Sequence, residues 1–199
     1  HGRSSGTDRE SDYGWDALAE DLLMLLDAVA PGEKVHGVGP SMGTGTLLHA
    51  AAADRRRFST LTLVTPPTAY KRRRAQGDVY RANAELVERG GLAALLEIGN
   101  TAPVPPALAD APETRPTVPA ELLPTVLRGA AATDLPPKKR IARIEVPTLI
   151  LAWTGDRTHP LKTARTLREL IDDSRLIVAR SPYGVMAWPG LFAEHVTTR

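Results

Sequence analysis

Lys34-Val35-His36-Gly37-Val38-Gly39-Pro40-Ser41-Met42-Gly43 is the stretch on which the fold turns. Its first half sets β-branched residues between glycines, the pattern of a short buried strand feeding a tight turn. Residues 42–53 are small or apolar, and Gly43 and Gly45 permit close packing, so they read as a helix. Beyond them Ser59-Thr60-Leu61-Thr62-Leu63-Val64 alternates and is rich in strand formers, until Pro66-Pro67 stops it. Strand, helix and strand in succession predict parallel βαβ units. Upstream, Trp15, Leu18, Leu22, Leu25 and Val29 share one helix face, a core-facing helix that Pro31-Gly32 ends.

Residues 69–140 differ in kind. They open on the basic run Lys71-Arg72-Arg73-Arg74, carry helical patterns near 79–89 and 92–98, and turn proline-rich from Pro103 to Pro124. With no strand signal, this stretch reads as a mostly helical cap laid over a sheet. The strand–helix rhythm then resumes with a buried strand at 146–153, an amphipathic helix at 161–171 and a strand at 175–179. The expected division is a core of residues 1–68 and 141–199 interrupted by a cap insertion at 69–140.

At about 150 residues per domain, 199 residues predict one domain with an excursion. Lys+Arg 25 against Asp+Glu 23 leaves a net charge of +2, too small for a nucleic-acid surface. The absence of cysteine excludes disulfides, thiolate zinc sites, iron–sulfur clusters and a cysteine nucleophile. No paired His, Asp or Glu stands at a metal-ligand spacing, and neither metal nor cofactor is expected. The densest apolar cluster, residues 22–26, is bounded by Asp21 and Asp27 and falls far short of the roughly 18 residues of a membrane span. A cytoplasmic protein acting on a small molecule, with no membrane partner, is the expectation. His1-Gly2-Arg3-Ser4-Ser5 has neither an initiator Met nor an apolar signal, and reads as an internal start, a processed end or a fragment.

Gly39-Pro40-Ser41-Met42-Gly43 fits G-x-S-x-G between a predicted strand and a predicted helix. The pattern has a steric reason: a serine in so sharp a turn needs glycines where the backbone passes close to itself. Its hydroxyl then stands at a helix N-terminus, where the N–H of Met42 can stabilise an oxyanion. The plain alternative is a Gly-Ser turn that merely starts a helix. Asp156 follows the 146–153 strand, at the carboxyl end where sites form on the same face as the serine turn. It reads as the acid of a triad or as a loop residue capping the next helix.

With these pieces in order, the chain resembles the α/β-hydrolase fold family. Residues 1–5 resemble the tail of its R-G-H-G-x-S loop, residues 39–43 its nucleophile elbow, 69–140 its cap. Residues 146–160 resemble its P-T-L-I-L…G-x-x-D-x-x-x-P region, shortened between Gly155 and Asp156. The resemblance implies an α/β fold: a mostly parallel sheet flanked by helices with a helical cap insertion. It also implies Ser41 as nucleophile and Asp156 as acid. Two departures stand out. The family places several strands, one helix and the loop supplying its other oxyanion N–H before the G-H-G-x-S loop. Those N-terminal strands are absent here, so the Ser41 strand is expected as an exposed edge that favours pairing with a second copy as a homodimer. The family's histidine also follows the last strand, and residues 180–189 contain none.

Without a base, a serine hydroxyl is a poor nucleophile. His159, three residues after Asp156, is the one histidine expected near Ser41. His36 is expected as a hydrogen-bonded core residue, His49 as a packing residue, His195 as a surface helix residue and His1 as a structural one. Arg55-Arg56-Arg57 and Lys71–Arg74 read as solvated, and Trp153 and Trp188 as packing. The function expected is hydrolysis of an ester or related acyl bond of a small apolar molecule. Its rival is a ligand-binding protein that keeps the fold without the base.

Overall fold

In the computed structural model, which describes residues 1–99, 103–112 and 116–198, four strands pair in parallel. They are Val35–Pro40 (β1), Phe58–Val64 (β2), Thr148–Trp153 (β3) and Ser174–Ala179 (β4), in the order β1-β2-β3-β4. Period-2 alternation sorts the side chains of β3. Leu149 and Leu151 join Ala179 and Trp188 on one face, while Ile150 and Ala152 join Trp15, Leu48, Leu61, Leu63 and Leu167 on the other. Because helices cover both faces, β3 is buried on both, which is why its sequence is an unbroken apolar run rather than an alternating one. The Ile150 face is packed by Trp15–Val29 (α1), Met42–Ala53 (α2) and Leu161–Leu170 (α6); the Leu149 face by the C-terminal helix Trp188–Thr197 (α8). β1 pairs only with β2 in this sheet, and Val38 on it is 49% exposed. Among the described residues no helix is long and apolar enough to cross a membrane.

Gly45 shows how tightly α1 meets α2. A Cβ there would lie 2.3 Å from the ring of Trp15, which is 2% exposed and has no room to retreat. In an open helix, Gly→Ala would gain about 1 kcal/mol. Here overpacking costs about 1–3 kcal/mol and should outweigh that gain. Gly45→Ala is therefore expected to lower Tm by a few degrees in a thermal melt.

Between β2 and β3 the described residues form Lys71–Gly99 (α3), Leu123–Ala132 (α4) and the single turn Lys138–Ile141 (α5). Within α3 the two expected helical segments are parted by a kink at Gly91, which takes the non-helical φ 69 and ψ −174. α4 begins at the end of the proline-rich stretch, with Pro124 in its first turn, where a missing N–H costs nothing. Residues 100–102 of the expected insertion and 113–115 of its proline-rich part lie outside the described residues. The chain closes with Pro182–Met186 (α7) and α8.

The basic runs correct the expectation of solvated charge. Arg73 is 3% exposed, its guanidinium 4.2 Å over the ring of Trp15 and donating to the carbonyl of Thr133. Arg57 is buried and donates to the carbonyls of Ala30 and Glu33, where α1 ends and a cation is favoured. Lys71, Arg72, Arg74, Arg55 and Arg56 are exposed as expected.

Candidate active site

All four strands run the same way, so the turn after β1 and the loop after β3 leave the sheet at one edge, the carboxyl ends where α/β sites form. Ser41 fills the turn between β1 and α2 with φ 49 and ψ −110, a left-handed conformation that costs a non-glycine residue about 1–3 kcal/mol. The surroundings hold it there. Its N–H donates to the carbonyl of Val64 at 2.9 Å, and the Thr44 hydroxyl donates to the carbonyl of Gly39 at 2.8 Å. A Cβ at Gly39 would lie 2.3 Å from the carbonyl oxygen of Gly43, which is the steric reason for glycine at the head of the motif. Met42 opens α2, where a first-turn N–H has no acceptor inside the helix.

The loop after β3 carries both remaining polar groups. Asp156 accepts four hydrogen bonds. Its Oδ1 takes the backbone N–H groups of Thr158 at 2.8 Å and His159 at 3.0 Å. Its Oδ2 takes the Trp153 indole N–H at 2.8 Å and His159 Nδ1 at 2.8 Å. An ionised carboxylate can only accept, so Nδ1 carries a proton, and in the neutral ring this leaves Nε2 bare. That bare Nε2 lies 2.7 Å from Ser41 Oγ, whose hydroxyl donates to it. Ser41, His159 and Asp156 thus form one hydrogen-bonded relay, although Asp156 and His159 are only three residues apart. The His159 and Asp156 side chains are 17% and 11% exposed. Burial pushes the Asp156 carboxyl up, but the hydrogen bonds from His159 and Trp153 outweigh it and hold the group well below the usual carboxylate range.

The other histidines lie elsewhere. His36 is exposed rather than in the core, its Nδ1 2.9 Å from the Thr60 hydroxyl, because it sits on the outer strand of the sheet. His49 packs half-buried, with Nε2 2.9 Å from the carbonyl of Asp134. His195 is 8% exposed rather than on the surface; α8 covers the Leu149 face of the sheet and sets its ring 3.2 Å from the carbonyl of Leu61. His1 meets the edge of Tyr13 at 4.8 Å. After β4, where a family histidine is usual, the short α7 instead presents Tyr183 and Met186 to solvent. Sequence reasoning missed Trp153 as a donor to Asp156: nothing in a strand-end tryptophan tells packing from hydrogen bonding.

The alpha/beta hydrolase family matches the chain over residues 1–190. Among solved structures, MenH from S. aureus is similar with a TM-score of 0.82, 19% identity, and coverage of 100% of this chain and 80% of that one. An esterase, RhEst1 from Rhodococcus sp. ECU1013, gives 0.68 at 21% identity, covering 100% and 76%. A thermophilic esterase from Thermogutta terrifontis gives 0.68 at 20% identity, covering 93% and 71%. These identities speak to the fold. No curated protein matches the chain.

Proposed function

The chain belongs to the alpha/beta hydrolase family, and on that ground we propose that it is a serine hydrolase cleaving an ester or related acyl bond of a small apolar molecule. The observation that carries this reading is the relay from Ser41 Oγ through His159 to Asp156, at 2.7 and 2.8 Å. Ser41 Oγ attacks the acyl carbon while His159 Nε2 takes its proton, and Asp156 stabilises the imidazolium that forms. The developing oxyanion is met by the Met42 N–H. His159 returns the proton to the leaving alcohol, which departs as the acyl-enzyme forms. Water, deprotonated by the same Nε2, then releases the acid and restores Ser41.

A cleft of about 530 Å³ lined by Leu22, Leu25 and Val38 runs along β1 as far as Met42 and Gly43, without including Ser41 or His159. Residues 69–140 act as the cap bounding the substrate. Two of the similar solved structures are esterases, which agrees with an ester as substrate.

The test is hydrolysis of p-nitrophenyl butyrate by the chain and by Ser41→Ala. The unaltered chain should release p-nitrophenol, and the variant should lose kcat by at least about ten-thousandfold. Turnover retained in Ser41→Ala, or absent from the folded, unaltered chain, overturns the reading.

A further inference from the structure

Asp156 Oδ2 has a second partner beside His159. The Trp153 indole N–H donates to it at 2.8 Å, sharing that oxygen with His159 Nδ1. Trp153 is the last residue of β3, in register with Ala179 of β4, so its backbone is anchored by the sheet. Its ring is anchored as well: it stacks on Trp188 of α8 with centroids 5.6 Å apart and planes at 11°. It also stands edge-on to the His159 ring, at 6.3 Å and 87°.

The two oxygens of Asp156 are therefore held by different means. Backbone N–H groups of its own loop fix Oδ1, and those donors move with the loop. The loop contains Gly155 at φ 80, and acid and base follow within four residues. The indole is the donor to Oδ2 that belongs to the rigid sheet rather than to the loop. We propose that Trp153, backed by Trp188, is a positioning residue for the reaction: its N–H locks the Asp156 carboxylate in the orientation that presents Oδ2 to His159. The inference rests on the Ser41–His159–Asp156 reading above and assigns the tryptophan pair a role beyond packing. A hydrogen bond to an ionised carboxylate is stronger than one between neutral groups, so losing it should be measurable in turnover.

Trp153→Phe keeps an aromatic ring against Trp188 and removes the N–H together with part of the indole's stacking area. With p-nitrophenyl butyrate it should lower kcat about tenfold and leave KM unchanged. The proton NMR resonance of the His159 Nδ1–H bonded to Asp156 should shift in the same variant. A second measurement does not depend on that variant folding: in Asp156→Asn, the indole N–H resonance of Trp153 should move while that of Trp188 stays. If Trp153→Phe turns over like the unaltered chain and the His159 resonance does not move, or if the Trp153 indole resonance ignores Asp156→Asn, the tryptophan only packs and the proposal fails while the serine reading stands. Absence of turnover in the unaltered chain sinks the serine reading instead, and the positioning role with it.

Discussion

His159→Ala should reduce kcat for ester hydrolysis on the order of a million-fold, while the chain still folds and melts cooperatively. A serine hydroxyl at neutral pH is almost wholly protonated, so attack at a useful rate needs a base within hydrogen-bond reach. His159 Nε2, 2.7 Å from Oγ, meets that requirement. The remaining histidines are engaged far from Ser41: His36 with Thr60, His49 with the Asp134 carbonyl, His195 with the Leu61 carbonyl and His1 against Tyr13. His36→Ala is the matching control, since this exposed side chain lies outside the relay; its kcat should stay within about twofold of the unaltered chain. A loss in His36→Ala equal to that in His159→Ala would mean that the assay reports stability rather than proton transfer.

Asp156→Asn should cost about ten-thousandfold in kcat for a different reason. Four donors converge on this carboxylate, and an asparagine offers one acceptor oxygen beside an amide that donates. If that NH₂ faces His159, Nδ1 must accept and the proton moves to Nε2. The ring then points a donor at Ser41 and can no longer take its proton. Binding of a non-cleavable ester analogue should change little, so the loss falls on kcat. The same carboxylate links stability to pH. Its folded-state pKa is held below the ordinary value, so its stabilising contribution is present above about pH 4 and is lost as the pH falls further. The Tm difference between the unaltered chain and Asp156→Asn should accordingly shrink on acidification. A difference that widened would mean that the carboxylate is not stabilised by its partners.

Much of the fold was legible because periodicity and turn chemistry agreed. The spacing of Trp15 to Val29 marks α1 to its ends, and the run at 148–152 marks a strand buried on both faces. Ser41 could be read because its left-handed turn forces glycine at position 39, and a steric requirement leaves a trace in sequence. Asp156 and His159 were legible as neighbours on the loop after β3, and the distance from His159 to Ser41 needed the structure. Side chains whose environment comes from distant segments could not be read. Arg73 is buried because Trp15 and Tyr80 meet over its guanidinium, from 58 residues before it and 7 after. His195 is buried because α8 lies on the sheet, which its local pattern does not tell. Trp153 looked like packing because its stack on Trp188 is packing, and the hydrogen bond from its edge adds no signal of its own.

The central claim is that Ser41 is an activated nucleophile whose base is His159. Covalent labelling by a fluorophosphonate, followed by mass spectrometry of the peptide containing residue 41, tests it whatever the substrate. The expected result is one adduct on Ser41 in the unaltered chain, none in Ser41→Ala, and labelling in His159→Ala slowed by orders of magnitude. An unlabelled but folded chain, or His159→Ala labelled as fast as the unaltered protein, would contradict it.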